Sequence, residues 1–302
     1  MRIGPRSLAT LTRLAAFALA LGACEKPKPA DSAAEIDDFG RHVPRAVARR
    51  IVSLSPSTTE ILFAIGAGPR VVGRTRWDSY PDSARAVPDL GDGIRPNVEA
   101  VLATHPDLVL LYASNDNRPA SDRLEAAGVR TLSLKNDRIE SFSRAVRLIG
   151  AATGDSVRAA AVVDSVQRTL LAVRRATANL TRPRVFWHVW TSPVFTIGGG
   201  SYLDQLLDYA GATNVYHDSP QPSPQVSLED VARLNPDIVI AGPEGAARIR
   251  NDPKWRSIPA VAAGHIVVVD TGLVGRPAIR LGEAAASLAR LLHPNVVLGP
   301  RP

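Results

Sequence analysis

A helix-turn-strand unit occurs twice in the sequence and most limits how the chain can fold. Residues 98–110 read VEAVLATHPDLVL, and residues 228–240 read LEDVARLNPDIVI. In each copy the apolar spacing of a short amphipathic helix precedes a Pro-Asp turn, and an apolar run typical of a buried strand follows. Each copy carries a glutamate at the same offset, Glu99 or Glu229. Since each half of the chain holds one copy, the sequence predicts two similar lobes.

The order of the other segments extends this prediction to a fold class. Strand and helix patterns alternate over residues 50–134 and again over 183–292, which is typical of parallel sheets covered by helices. Between them, apolar residues recur at helical spacing for about 25 residues from Asp155 onward. We therefore predict an α/β protein with two Rossmann-like lobes joined by one long rigid α-helix.

Two local motifs have ordinary structural interpretations. Ser57-Thr58-Thr59-Glu60 has the pattern of a capping box, which predicts a helix start just before Ile61–Ile65. Gly198-Gly199-Gly200 precedes a predicted helix and could cradle a phosphate or form a tight turn. Because the sequence has neither a dinucleotide fingerprint nor a P-loop, the tight turn is favoured.

The first residues have the plan of a secretory signal, with a basic start, an apolar segment and a small-residue end. The apolar segment is too short for a lasting membrane span. It ends in Leu21-Gly22-Ala23-Cys24, which resembles a bacterial lipobox. We predict a lipoprotein signal peptide over 1–23, lipidation of Cys24, a membrane-anchored location in the periplasm, and a flexible tether over 24–48. A buried free thiol is the alternative for Cys24.

Composition and spacing argue against several classes of function. The single cysteine excludes an internal disulfide and any multi-cysteine metal site. Three of the +7 net charges belong to arginines of the leader, and the remaining +4 is too mild to favour a nucleic-acid partner. The six histidines have no metal-ligand spacing, and no Gly-x-Ser-x-Gly elbow occurs. The sequence therefore predicts neither a metal site nor an enzyme.

The scarce aromatic residues lie near predicted strand ends. Trp77 follows a short strand, Tyr112 ends a strand, Trp190 ends the first strand of the second half, and Phe195 lies in the loop after it. Open α/β sheets bind ligands at the carboxyl ends of their strands, so we predict an aromatic ligand cleft. Packing beneath loops is the alternative for each. Arg276 and its neighbour Arg280 follow the last strand and could add polar contacts.

Glu99 and Glu229 allow two interpretations. A carboxylate near a helix start is favoured by the helix dipole and needs no further role. One exposed carboxylate on each lobe would also suit arginines of a protein partner.

Residues 50–292 resemble the periplasmic substrate-binding proteins that serve ABC importers of cobalamin and iron siderophores, and are most similar to the cobalamin-binding members. The matching segments are Ser53–Glu60, Asp78–Pro81, Asn97–Glu99, Pro106–Val109, Pro224–Glu229 and Pro236–Val239. The resemblance implies a helical-backbone (class III) binding-protein fold that binds its ligand between the lobes with little closure. It places the lobes at 49–138 and 182–302, with the helical connector over 139–181.

The resemblance also assigns roles to particular residues. Glu99 and Glu229 correspond to the glutamates that dock on arginines of the permease. Trp77 falls where an aromatic residue contacts the corrin ring, and the loop from Gly272 and Leu273 to Arg276 corresponds to a ligand-contacting loop.

The same resemblance points to a ligand class. Gly93 and Ser223 replace tryptophans of the cobalamin-binding members, so part of their aromatic lining is missing. A corrinoid such as cobalamin is the first choice as transported ligand, with a ferric siderophore or haem as the alternative. The expected protein is a monomer without a catalytic cofactor. An α/β enzyme without a recognisable motif and a module without a ligand are the rival classes.

Overall fold

The computed structural model describes residues 35–43 and 46–299, so the predicted signal peptide, Cys24 and most of the predicted tether lie outside the described residues. No described helix is long and apolar enough to span a membrane. The described strands are β1 (Ile51–Ser53), β2 (Val71–Gly73), β3 (Leu108–Tyr112), β4 (Arg130–Leu134), β5 (Arg184–Trp187), β6 (Trp190–Thr191), β7 (Val194–Phe195), β8 (Thr213–Asn214), β9 (Ile238–Ala241) and β10 (Ile266–Val268). The described α-helices are α1 (Pro56–Ala64), α2 (Val98–Leu102), α3 (Arg118–Ala126), α4 (Ile139–Thr153), α5 (Ser156–Thr177), α6 (Tyr202–Tyr209), α7 (Leu228–Leu234), α8 (Pro243–Asn251), α9 (Pro259–Ala262), α10 (Thr271–Val274) and α11 (Leu281–Leu292).

The two lobes have the same sheet topology. The N-terminal sheet has the order β2-β1-β3-β4, the C-terminal sheet has the order β10-β9-β5-β8, and all pairs are parallel. Counted along the chain within each lobe, both sheets follow the order 2-1-3-4. The duplicated stretch supplies the third strand of each sheet, β3 and β9. The prediction of two similar α/β lobes is confirmed.

The Pro-Asp turn performs the same task in both lobes. The residue before each proline, His105 or Asn235, has a left-handed backbone with φ of 49° or 47°. This conformation turns the chain from the helix towards the strand. The aspartate then caps the start of the lobe's first strand: Asp107 accepts from the backbone N–H groups of Arg49 and Arg50 (2.8 and 3.0 Å), and Asp237 accepts from that of Arg184 at 2.8 Å.

The linker helix α5 lies between the lobes and packs against α4 on one side and against α6 and α11 on the other. Its buried side chains, among them Ala159, Val163, Val166 and Leu170, recur at helical spacing and belong to the largest hydrophobic core. The helix predicted from Asp155 onward therefore forms as expected.

The capping-box prediction is wrong. The helix α1 begins at Pro56 with Ser55 as its N-cap, and no side chain caps it. Proline at the first helical position needs no N–H partner and sets the helix start earlier than the motif suggests. Glu60 therefore lies inside the helix, where its side chain is 1% exposed and pairs with arginines of the other lobe.

The tether prediction is wrong for residues 35–43, which pack on the N-terminal lobe. Asp37 is buried and accepts from the backbone N–H of Ser133 at 2.9 Å, and the backbone N–H of Asp38 donates to the carbonyl of Ser133, also at 2.9 Å. Ser133 belongs to β4, an edge strand with unpaired backbone groups. A polar segment that supplies partners to such an edge is ordered by hydrogen bonds, which the hydrophobic pattern does not reveal.

Candidate ligand-binding cleft between the lobes

Two adjoining cavities, which we call together the interlobe cleft, lie beyond the carboxyl ends of β1, β3 and β4. Their volumes are about 490 and 440 Å³. Ser55, Ser57 and Tyr112 of the N-terminal lobe and Pro277 of the C-terminal lobe line both. The cleft therefore lies where parallel α/β sheets bind ligands.

Exposed apolar side chains line both cavities. Trp77 (56% exposed) and Ile94 (62% exposed) line the first from the N-terminal lobe, and Val189 (46% exposed) lines the second from the C-terminal lobe. Large apolar side chains left in water at a concave site favour a ligand that covers them.

The loop that carries Trp77 is held from both lobes. The next residue, Asp78, is 2% exposed and accepts hydrogen bonds from the hydroxyl groups of Thr59 and Thr75. Burial raises the pKa of the Asp78 carboxyl group, and the hydrogen bonds from the threonines oppose that rise. From the other lobe, Arg276 Nη2 donates to the carbonyl of Trp77 at 3.0 Å. The backbone of the loop that carries the indole is therefore held in place before any ligand arrives.

Tyr112 lies at the junction of the two cavities. Its hydroxyl donates to Asp137 Oδ1 at 2.6 Å. Burial, and then the neighbouring carboxylate, raise the pKa of the Tyr112 phenol above its usual value. The ring therefore offers the ligand an apolar face while its hydroxyl stays protonated.

A buried ion pair joins the lobes beside the cleft. Glu60 of α1 receives a hydrogen bond from Arg280 Nη2 at 3.0 Å, and Arg276 Nη1 lies 3.6 Å from the same carboxylate oxygen. The guanidinium of Arg280 also lies over the ring of Tyr80, 4.0 Å from its centroid. The residues after the last strand therefore bind the N-terminal lobe as well as lining the cleft.

The family assignment rests on the whole of this fold. The family model described as periplasmic binding protein matches residues 51–272. The chain belongs to the periplasmic binding protein family. Its sheets, linker helix and interlobe cleft agree with the class III fold predicted from the sequence.

Three similar proteins are informative. The uncharacterized ABC transporter substrate-binding lipoprotein YvrC of Bacillus subtilis is 33% identical over 82% of this chain and 81% of its own length. The vitamin B12-binding protein of Yersinia pestis is 28% identical over 66% of this chain and 71% of its own length. The solved structure of the periplasmic heme-binding protein BhuT with two hemes is 27% identical, covers 82% of this chain and 98% of that one, and has a TM-score of 0.73. These relatives are binding proteins rather than enzymes.

The structure brings together three of the seven predicted ligand-binding residues of this periplasmic binding protein. Trp77, Tyr112 and Arg276 line the cleft, whereas Trp190, Phe195, Gly272 and Leu273 are not among its lining residues.

Trp190 and Phe195 differ from the predicted strand end and loop. The strand β5 ends at Trp187, and both aromatic residues belong to an antiparallel hairpin in which they pair directly. The hairpin forms because the backbone N–H of Val189 turns away to bond the carbonyl of Phe195. Trp190 remains 61% exposed on this hairpin.

Gly272 and Leu273 lie in the short helix α10. The backbone N–H of Gly272 donates to the capping side chain of Asp270, and Leu273 packs against the main hydrophobic core. Of the predicted contact loop, only Gly275 and Arg276 reach the cleft.

Sequence reasoning did not identify Ser57, Asn117 and Asn136 as cleft residues. Asn136 lies two residues after the end of β4, so a polar residue near a strand end was an available signal. Asn117 lies in a polar loop, and Ser57 belongs to the motif interpreted as a capping box. No local signal therefore marked either residue as part of the cleft.

Glu99 and Glu229 occupy equivalent positions, each two residues after a capping side chain. Asn97 caps α2 and Ser227 caps α7. Both glutamates are exposed, but Glu99 is paired with Arg123 at 2.5 Å. A hydrogen bond from its own backbone N–H, and then Arg123, hold the pKa of the Glu99 carboxyl group below its usual value. Glu99 therefore stands at the surface in its ionised form, and Glu229 occupies the matching surface position of the other lobe.

The described residues hold no group of three or more histidine, cysteine, aspartate or glutamate side chains placed to bind a metal ion.

Proposed function

We propose that this protein is a lipid-anchored, extracytoplasmic solute-binding protein that captures a corrinoid in the interlobe cleft and delivers it to an ABC import permease. The observation that carries the proposal is the position of Trp77, an exposed indole at the strand ends on a loop that both lobes hold. A flat ring of this kind suits the face of a macrocycle. Similarity to a vitamin B12-binding protein supports the same ligand class.

Haem is the second candidate, supported by the similarity to BhuT. Proteins usually hold haem iron through histidine, cysteine, methionine or tyrosine. Among the described residues that line the cleft there is no histidine, cysteine or methionine. Its two tyrosines, Tyr112 and Tyr202, donate their hydroxyls to Asp137 and to the carbonyl of Val274. Burial raises the pKa of both phenols, which opposes iron binding by a phenolate. A corrinoid, whose cobalt carries its own axial ligands, needs no such group.

Isothermal titration of the purified protein with cyanocobalamin, haemin and a ferric hydroxamate siderophore tests the ligand. We expect saturable heat with cyanocobalamin at one site per chain and much weaker binding of the other two. Absence of heat with any corrinoid, or tighter binding of haemin, would remove the proposal.

Delivery to the permease is proposed to use Glu99 and Glu229, one on each lobe. Charge reversal of both residues should abolish corrinoid uptake in cells while leaving affinity in solution unchanged. Reversal of Asp164, an exposed aspartate on the linker helix, provides the control. Uptake that survives the double reversal would contradict this docking role.

Anchoring through Cys24 is proposed from the sequence, since this residue lies outside the described part of the chain. Labelling by radioactive palmitate should be lost in Cys24→Ala, and equal labelling of both proteins would exclude lipidation.

A further inference from the structure

The lining of the interlobe cleft is rich in hydrogen-bond acceptors and in negative charge. Asp92 and Asp116 line the first cavity and Asp137 lines the second. Arg276 is the single lysine or arginine among the described lining residues, and Glu60 lies 3.6 Å from its guanidinium. Lys135 Nζ lies 3.7 Å from Asp137, so the acidic excess of the cleft comes from Asp92 and Asp116, in a protein whose overall charge is positive.

Two buried amides add acceptors to this lining. Asn117 is 1% exposed and Asn136 is 8% exposed, and in the part of the chain that the structure describes their Oδ1 atoms have no hydrogen-bond partner. Asn117 lines the first cavity and Asn136 lines the second. A buried carbonyl oxygen without a partner is costly, and binding of a donor group would offset that cost.

The amide orientations follow from their neighbours. Asn117 Nδ2 donates to the carbonyls of Gly93 (3.0 Å) and Tyr112 (3.1 Å). Asn136 Nδ2 donates to the carbonyl of Pro277 and to the hydroxyl of Ser57, which itself donates to Pro277. Carbonyl oxygens accept only, so the nitrogen of each amide must face them and the oxygen must be the free end.

We infer that the interlobe cleft selects ligands whose periphery carries hydrogen-bond donors, such as carboxamides, and rejects ligands whose periphery carries carboxylates. The inference rests on the proposed corrinoid function and narrows it. A carboxamide NH2 group can donate to the aspartates and to the free amide oxygens. A carboxylate in the same place would meet like charges, and the side-chain donors that it could accept from are few: Arg276, hydroxyl groups and the indole N–H of Trp77.

Two corrinoids that differ in this property test the inference. Cobinamide carries peripheral amides, whereas cobyrinic acid carries carboxylates on the same macrocycle. Titration calorimetry with each should give a dissociation constant at least about tenfold lower for cobinamide in 20 mM NaCl. The ratio should narrow in 500 mM NaCl, because salt screens the partly exposed aspartates.

The double variant Asp92→Asn, Asp116→Asn removes both negative charges of the first cavity with little change in shape. Asp92 Oδ1 accepts from the backbone N–H of Ile94, a bond that asparagine can keep. We expect the double variant to reduce the preference for cobinamide at least about threefold. Asp164→Asn, a substitution away from the cleft, should leave the preference for cobinamide unchanged. A shift in both affinities by one common factor would indicate a structural effect and contradict the inference.

The outcomes separate this inference from the function on which it rests. If cobyrinic acid binds as tightly as cobinamide, the selectivity is overturned and corrinoid binding stands. If the preference survives unchanged in the double variant, its attribution to the aspartates is overturned. If neither corrinoid binds, the proposed function fails and the inference fails with it.

Discussion

Trp77 and Trp190 have similarly exposed indoles, but the segments that carry them are held by different contacts. The Trp77 loop is fixed by the buried carboxyl group of Asp78 and by Arg276 across the cleft. The indole of Trp190 donates only to the nearby carbonyl of Ser192 at the tip of its own hairpin. A loop that is already ordered by both lobes loses less conformational entropy when a ligand binds to it.

We therefore expect Trp77→Ala to raise the dissociation constant for cyanocobalamin by about tenfold or more, because an aromatic contact face is lost. Trp190→Ala is the matched control, and its effect should stay below about threefold. Fluorescence or calorimetric titration measures both. A larger loss in Trp190→Ala would place the ligand on the hairpin rather than in the cleft.

His188 provides a pH-dependent prediction at the same scale. It is 4% exposed, and burial, followed by the charge of Arg248, lowers its pKa from the usual 6.5. At pH values between the lowered pKa of His188 in the folded protein and 6.5, the unfolded chain binds more protons than the folded protein does. The contribution of His188 to the free energy of unfolding should therefore be fully present above pH 6.5. It should fall on acidification, by at most about 1.4 kcal/mol per pH unit.

Urea denaturation at pH 7.5 and 5.5 measures that change. The loss of stability between the two values should be smaller in His188→Gln than in the wild type. His265→Gln, at an exposed position, should behave as the wild type does. Equal losses in wild type and His188→Gln would show that His188 does not titrate as stated.

At the scale of elements, the duplicated helix-turn-strand unit explains why the lobes could be predicted. Its signals are local: a helix periodicity, a Pro-Asp pair and an apolar run all lie within thirteen residues. The structure adds the physical reason for the aspartate, which caps the first strand of each lobe. Two turns with the same chemistry therefore place two third strands in equivalent positions.

The capping of the first strand by an aspartate in each lobe gives a prediction for the two turns. Asp107→Ala leaves two backbone N–H groups without their acceptor and should lower the free energy of unfolding by about 1–2 kcal/mol. Asp237→Ala removes one such bond and should cost less. Asp107→Asn keeps one oxygen and should fall between wild type and Asp107→Ala. Urea denaturation of the three variants checks the order, and an equal cost for both alanine variants would contradict it.

The elements that escaped prediction depend on contacts rather than on periodicity. The apolar run from 183 to 190 reads as one strand, but the last backbone N–H that bonds to β9 is that of His188, because Val189 bonds to Phe195 instead. The segment 35–43 reads as a tether, but the edge strand β4 supplies its partners. In the cleft, Ser57 and Pro277 are 220 positions apart, and no local pattern links them.

At the scale of the whole molecule, side chains join the lobes directly in addition to the linker helix. Arg138 donates to the carbonyl of Gly199 at 2.8 Å, the backbone N–H of Ile139 donates to Gln205 at 2.8 Å, and Ser57 donates to Pro277. These bonds limit independent motion of the lobes. The expectation of little closure is therefore consistent with hydrogen bonds as well as with helix stiffness.

The ion pair of Glu60 with Arg280 and Arg276 is the most buried of these connections, since the carboxylate is 1% exposed and the arginines are 17% and 21% exposed. Removing one partner of a buried pair leaves the other charge uncompensated, so Glu60→Gln should lower the free energy of unfolding by about 3 kcal/mol. Asp122→Asn removes an ion pair with Arg41 from a carboxylate that is 58% exposed and should cost less than about 1 kcal/mol. Urea denaturation of both variants gives the comparison. If Glu60→Gln were as stable as the wild type, the ion pair would not hold the lobes together, and rigidity would have to come from α5 and the remaining hydrogen bonds alone.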